Sequence, residues 1–489
     1  MGLYVMKNIN LLNSKLLIYC ILLSLIISGC SQNQPNSVQP SQSSQQEQTS
    51  STPGNVPSSS PVSDEKTTPV PDWSYNATIY EVNVRQYTRE GTFKAFEQHL
   101  PRLKEMGIKI LWFMPIYPIS SEKRLGTLGS YYSIADYKKV NPEFGTLEDF
   151  KALVDKCHEM GFKVMLDWVA NHTGWDHVWI KDHKDWYSQD ANGNIIIPPA
   201  TNWQDVADLN FDNQDMRAEM IDAMSFWVRE FDVDGFRCDY AIGVPLDFWE
   251  TAREALEKIK PVFMLAEDDK SMAFMKYAFN ANYGWNLYHN MNKIALGTYS
   301  PDGLISYFKN LQTKYPGNTY PLHFIDNHDE NSWNGTVEER LGQAQHSMLV
   351  LIFTAPGMPL IYSGQEANLN KRLQFFEKDE IDWSSLTNER LISKLVNLKL
   401  DHPALWNGEM GGTVEFMKTS DKKVLAYERV KDDDRIFVVL NLSSKEADAT
   451  ITLNEQFEGI NILTNESVVL SEGENNLRLK PWEYLIFVK

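Results

Sequence analysis

The chain has 489 residues, 43% of them hydrophobic and 12% aromatic, enough for a large core and more than one domain. Its 65 acidic residues outnumber 46 basic ones, giving a net charge of −19, and no Lys/Arg-rich block interrupts that acidity. This balance argues against nucleic acid as a partner and for a neutral one, the acidity serving solubility.

In chain order, the first segment reads as a targeting sequence. Lys7 and Lys15 accompany an apolar run, Leu16 to Ile27, too short to cross a bilayer comfortably. The run ends in Ile27-Ser28-Gly29-Cys30, which is similar to a bacterial lipobox. Residues 1–29 thus read as a lipoprotein signal peptide and Cys30 as the lipid-bearing thiol. An ordinary signal peptide with an incidental cysteine is the plainer alternative. The anchored reading places the protein in the cell envelope, outside the cytoplasmic membrane or at the cell surface. Residues 30–72 are Ser, Gln, Pro, Thr and Asn with almost no aliphatics, a disordered tether with a mean reach of roughly 35 Å. Of the remaining cysteines, Cys157 falls on a predicted helix and Cys238 on a predicted strand, and both read as buried free thiols.

From Trp73 strand and helix patterns alternate. Strands are predicted at Ala77–Val84, Lys109–Phe113, Phe162–Val169, Val233–Asp239, Val262–Glu267, Leu322–Asp326 and Met358–Tyr362. Helices are predicted at Phe93–Met106, Leu147–Met160, Met216–Phe231, Leu246–Ile259, Glu338–Phe353 and Arg390–Leu400. One further strand and one helix are expected between Ala278 and Asn318. About eight alternations over this length predict a (β/α)8 TIM barrel, residues 73–405. One long interruption after the third strand, about 172–212, holds Asn192-Gly193, Pro198-Pro199 and several Trp, and reads as a small inserted subdomain. After Trp406 short strands between polar turns predict a C-terminal antiparallel β-sandwich, residues 406–489.

Active sites of such barrels form where strands end at the C-terminal face. The third predicted strand ends in Asp167-Trp168-Val169-Ala170-Asn171-His172, and the fourth in Gly235-Phe236-Arg237-Cys238-Asp239. The fifth ends in Glu267 after an apolar run, and the seventh in Asp326-Asn327-His328-Asp329. Two apart on a strand, Arg237 and Asp239 share a face. The guanidinium is expected to lower the pKa of Asp239 and keep it ionised, as a carboxylate nucleophile requires. A buried structural ion pair is the plain alternative for that segment alone. Four polar clusters meeting at one rim would cost heavily in desolvation without a purpose.

These motifs resemble glycoside hydrolase family 13, the α-amylase family. Ala207-Asp208-Leu209-Asn210, Tyr132 to Tyr137, Pro359 to Glu366 and Phe375 to Trp383 extend the likeness over nearly all of 73–489. The resemblance implies a retaining hydrolase of α-1,4-glucosidic bonds in starch-like glucans or maltodextrins. Asp239 would be the nucleophile, Glu267 the acid and base, and Asp329 the stabiliser of an oxocarbenium-like transition state. Tyr132, Asp167, His172, Arg237 and His328 complete the implied substrate-binding set, with Asp167 bracing Arg237 and Tyr132 stacking on the sugar. Trp175, Trp179, Trp203 and Trp333 flank the motifs, with stacking on glucose and plain packing both open.

The implied chemistry needs no cofactor. The family's structural Ca²⁺ is an open question, because Ile242-Gly243 stand where many α-amylases carry Lys-His, and Asn171 reads either as a ligand or as a strand-end cap. Asp190 to Asn194 alternates oxygen groups, and an ordinary polar turn is the better reading there. Expected partners are an α-glucan or maltooligosaccharide and, through the lipid anchor, a membrane; oligomeric state is left unassigned. The alternatives are an exo-acting α-glucosidase, a cyclomaltodextrinase or transglycosylase on short maltooligosaccharides and, remotely, a non-catalytic glucan-binding protein.

Overall fold

In the computed structural model, which describes residues 67–489, eight short buried strands close into a parallel barrel. The predicted signal peptide, Cys30 and most of the predicted tether lie outside the described residues. The barrel strands are β1 (Ile79–Val82), β2 (Ile110–Phe113), β3 (Lys163–Trp168), then, beyond the short strands β4 (His172–Gly174) and β5 (Val206–Asp208), β6 (Gly235–Cys238), β7 (Phe263–Ala266), β8 (Ala281–Tyr283), β9 (Tyr320–His323) and β10 (Met358–Tyr362). Around the barrel the order is β1-β10-β9-β8-β7-β6-β3-β2. Nearly every strand residue is buried, as parallel strands covered on both faces must be. Ile79, Ile110, Trp112, Met165, Leu265 and Leu360 belong to the cluster filling the interior, while alternate residues such as Leu111, Val164 and Met264 pack outward with the helices.

Local chemistry explains the element ends. The helix Leu147–Glu159 opens with a reciprocal capping box between Thr146 and Asp149 and buries Phe150, Leu153, Val154 and Cys157 on one side. The helix Gln214–Phe231 is capped by the Asn213 side chain, which accepts from the Met216 N–H. Gly235 has a packing reason, since a Cβ there would lie 2.1 Å from the Phe263 carbonyl oxygen of the neighbouring strand. Cys157 and Cys238 are buried and free.

The insertion folds as expected: β4 and β5 pair antiparallel, with His172 opposite Asp208. Beyond the barrel lie a six-stranded antiparallel sheet and a three-stranded one, with a separate apolar core that includes Phe437, Val439, Ile451 and Phe457. No helix among the described residues is long and apolar enough to cross a membrane.

Several predicted elements need correction. The helix expected over Phe93–Met106 is two, Phe93–Glu97 and Leu100–Glu105, because Pro101 has no N–H to continue the first. The helix expected over Glu338–Phe353 breaks at Gly342, whose φ of +49° is left-handed. Between Ala278 and Asn318 one strand, β8, is followed by two helices, Trp285–Ala295 and Gly303–Lys314, not one. The seventh strand ends at His323, so Asp326 to Asp329 stand on the loop beyond it. The C-terminal sheets also contain Ser467–Leu470, whose apolar run is only Val468-Val469-Leu470, and the polar strand Gly473–Leu479, neither of which the sequence pattern predicts.

Candidate active site

The C-terminal ends of these strands open onto a cleft of about 1030 Å³. Tyr132, His172, Asp239, Glu267 and Asp329 line it, with Trp203, Tyr240, Ile242, Trp333, Phe375 and Phe376 among its apolar walls. Arg237 and Asp167 are fully buried and do not reach it; they lie beneath its floor.

Arg237 is the hub of that floor. Its Nη1 donates to Asp167 Oδ1 and to Asp239 Oδ1, both at 2.9 Å, and its Nη2 pairs with Glu267 Oε1 at 3.0 Å. Its Nε donates to the Tyr283 hydroxyl at 3.2 Å. Asp167 is held in turn by the Trp112 indole N–H and the Tyr132 hydroxyl. A guanidinium presents several donors in a fixed plane, so one residue can fix three carboxylates. Backbone bonds set their heights: the Asp239 N–H donates to Trp168 O and the Glu267 N–H to Cys238 O.

Glu267 has a second tether, since its Oε2 accepts from the Tyr240 N–H at 2.8 Å. Tyr240 holds that N–H in place with φ +41° and ψ +50°, a left-handed conformation unfavourable for a bulky residue. Backbone strain of this kind clusters at functional sites.

Across the cleft, His328 is gripped from both sides. Its Nδ1 meets Glu81, while its Nε2 lies 2.7 Å from the Tyr132 hydroxyl and 3.2 Å from Asp329 Oδ2. Burial opposes a charge on His328, yet the Asp329 and Glu81 carboxylates push its pKa well above the ordinary value, so the ring is cationic. Glu81 is a member of this network that the sequence reading missed. A single Glu inside the apolar strand Ile79–Val82 was its signal, because a fully buried carboxylate needs a cation.

The electrostatics overturn one expectation. Arg237 does touch Asp239, but burial outweighs it and the nearby Asp167 carboxylate adds to burial, pushing Asp239 up to about 6 rather than down. One guanidinium shared among three carboxylates cannot hold each of them low. Burial also raises Asp167 to about 6, against Arg237. Glu267 is raised to about 7 by burial and by the Asp239 and Asp329 charges, again against Arg237. Asp329 moves the other way: burial opposes it, but the cationic His328 holds it below the ordinary carboxylate range. Burial lowers His172 to about 3, leaving it a neutral hydrogen-bonding group at the rim. Two carboxyls with raised pKa face one that is held ionised, an environment that separates acid from base.

Of the flanking tryptophans, Trp179 is buried against His177 and Trp186, and Trp175 lies under the Lys123 ammonium. Trp203 and Trp333 line the cleft. The donor set for calcium does not fit. Asn171 turns its Nδ2 to His172 Nδ1, and a Cβ at Gly243 would lie 2.4 Å from Asn171 Oδ1, so backbone fills that space. Asp190 is consumed within its own turn, accepting from the Asn192 and Asn194 N–H groups. Among the described residues no three His, Cys, Asp or Glu side chains form a group that could hold a metal ion.

The chain also resembles proteins of known family. The model "Alpha amylase, catalytic domain" matches residues 56–437, and "Maltogenic Amylase, C-terminal domain" matches 414–486. The structure of a noncanonic maltogenic alpha-amylase from Thermotoga neapolitana is similar at a TM-score of 0.77 and 30% identity, over 84% of this chain and 98% of that one. Alpha-amylase 3 of Dictyoglomus thermophilum is 27% identical over 85% of this chain and 93% of its own length. Alpha-amylase MalA of Haloarcula japonica is 25% identical over 81% of this chain, and the chain spans 59% of its length.

Proposed function

The chain belongs to the α-amylase family, and we propose that it is a retaining hydrolase of α-1,4-glucosidic bonds in starch-like glucans or maltodextrins. One observation carries the reading: Asp239 and Glu267 are both fixed by Arg237 at the cleft floor, with Asp329 held ionised by His328 on the cleft wall. Asp239 attacks the anomeric carbon while Glu267 gives its proton to the departing oxygen, leaving a glycosyl-enzyme ester. Glu267, now a base, takes a proton from water, which attacks the same carbon and frees Asp239. The raised pKa of Glu267 suits the acid role, and the ionised Asp329 suits charge stabilisation in the oxocarbenium-like transition state. Tyr132, His172 and His328 contact the attacked sugar, while Arg237 and Asp167 act through the carboxylates they hold. Residues 73–405 are the catalytic unit and 406–489 the C-terminal domain in this reading.

The test is product analysis on starch and on an end-blocked maltoheptaose. Internal cuts in the blocked substrate are expected; release of glucose from unblocked chains only would overturn endo action. A second reading, preference for short maltooligosaccharides or their cyclic forms, draws on the maltogenic-amylase match of the C-terminal domain. Faster turnover of cyclomaltodextrin than of starch would favour it.

The location is proposed on sequence pattern alone: Cys30 carries lipid and the enzyme faces outward from a membrane. Membrane-fraction activity that becomes soluble on Cys30→Ser is the expected result, and unchanged partitioning would refute it.

A further inference from the structure

The Trp333 side chain hydrogen-bonds Asp329 and helps His328 hold that carboxylate ionised, yet most of the ring is left over for another purpose. It is 52% exposed, and it is the largest and most open of the exposed hydrophobes in the cleft, beside Ile242 and Leu125. It stands on a π turn, Glu330–Asn334, directly after Asp329, with the Gly335 N–H donating to the Glu330 carbonyl. Such turns are rare and concentrate at functional sites. The ring rests on Phe375 and Phe376, with centroids 5.4 and 5.7 Å away, and Phe375 stacks on Tyr132 at an interplanar angle of 16°. An indole held that way presents an immobile apolar surface, to which the C–H face of a pyranose is complementary.

The barrel order tells which part of the substrate this surface meets. Glu267 protonates the leaving oxygen, so the leaving half of the substrate lies towards Tyr240 and Ile242, which follow β6 and flank Glu267. In the closed order β10 stands four places from β6, directly across the barrel, and Phe375 and Phe376 follow β10. Trp333 therefore lies on the side of the half that stays on the enzyme.

Building on the α-glucan reading, we propose that Trp333, on its Phe375–Phe376 bed, is the platform for the glucose unit preceding the attacked one, and so sets how many units a substrate must place on that side. A chain that cannot cover Trp333 forgoes this contact and is cut poorly at that bond.

The experiment is bond-cleavage frequency on maltopentaose labelled at its reducing end, with wild type, Trp333→Ala, Trp333→Gln and Trp333→Phe. Both Ala and Gln variants should raise the share of cuts after the first non-reducing glucose, relative to deeper cuts, by about tenfold, chiefly through KM. Trp333→Phe, which keeps a ring but loses the hydrogen bond to Asp329, should retain the wild-type distribution of cuts while cutting every bond more slowly. A thermal melt shows that each variant is folded, and one folded truncation suffices. In the Ala and Gln variants, an unmoved pattern, or an equal loss at every bond, would overturn the platform while leaving the α-glucan reading standing. Failure of the wild type to cut maltopentaose would instead overturn that reading, and this inference with it.

Discussion

Asp234 and Asp239 flank the same short strand, β6, one entering it and the other leaving it, and both carboxyls are largely shut away from water. Their surroundings are opposite. Asp234 accepts from the Val164 N–H and pairs with His158, Lys163 and Lys260, all within 3.0 Å. Burial works against its charge, but those partners hold it down at about 2. Asp239 has one cation, Arg237, which it shares with Asp167 and Glu267, and it sits near 6. A structural carboxylate is given donors in excess. A reactive one is given too few, so that its charge stays available to a substrate carbon.

The largest effects should come from exchanging the two residues' roles. Asp239→Asn is expected to lower kcat by about 10⁴-fold or more, with glucan binding largely intact and the melting temperature not reduced. Asp234→Asn should do the reverse: a loss of about 3 kcal/mol of stability by denaturant unfolding, because it strands the Lys163 and Lys260 ammonium groups, with kcat per folded molecule unchanged. Unchanged activity in Asp239→Asn would end the proposed mechanism, and a stable Asp234→Asn would end the comparison.

This contrast was half legible in the sequence. Asp234 and Asp239 fall in one predicted strand, and the three strand-end residues Asp239, Glu267 and Asp329 line one cleft. What strand spacing could not give was the count of neighbours. The expectation that Arg237 lowers the Asp239 pKa treated them as a pair, whereas Glu267 and Asp167 reach the same guanidinium from other strands. Glu81 was overlooked for the same reason: its partner His328 is 247 positions away in the chain. In the fold, errors fell where pattern and backbone chemistry disagree, as where the apolar Phe324-Ile325 run continues beyond the end of β9.

Glu267→Gln gives the next effect, in stability. The folded pKa of Glu267 is raised from an ordinary 4.5 to about 7, so the stability it allows is fully present below about 4.5 and is lost as pH rises through about 7. The neutral isostere avoids that loss. At pH 8 the variant should exceed wild type by about 2–3 kcal/mol, with the difference vanishing near pH 4, while hydrolysis falls sharply. A pH-independent difference in melting temperature would mean that Glu267 is not under electrostatic strain.

A smaller effect, tenfold per pH unit at most, is expected in kcat/KM. Hydrolysis needs Asp239 deprotonated and Glu267 protonated, so the rate should fall below about 6 on the acid side and above about 7 on the alkaline side. The two limbs belong to the coupled set of carboxyls and not to either residue alone. An acid limb near 4 would show that Arg237 dominates burial after all, making Asp239 resemble Asp234.

The smallest expected effect is that of a chelator. The barrel–insertion junction is knit by its own hydrogen bonds, and burial raises the pKa of its carboxyls Asp205 and Asp208, which lack the surplus of partners that holds Asp234 down. Asn171 is engaged with His172, β4 is paired with β5 through His172 and Asp208, and Gly243 lets the backbone close against the Asn171 amide. A bound Ca²⁺ needs six to eight oxygen ligands, commonly several carboxylates, and its removal would expose unpaired charge and lower the melting temperature. EDTA should therefore move the melting temperature by less than about 1 °C and leave activity on maltodextrin unchanged. A fall of many degrees, reversed by added Ca²⁺, would show that the junction depends on a metal and that its hydrogen bonds are not what holds it.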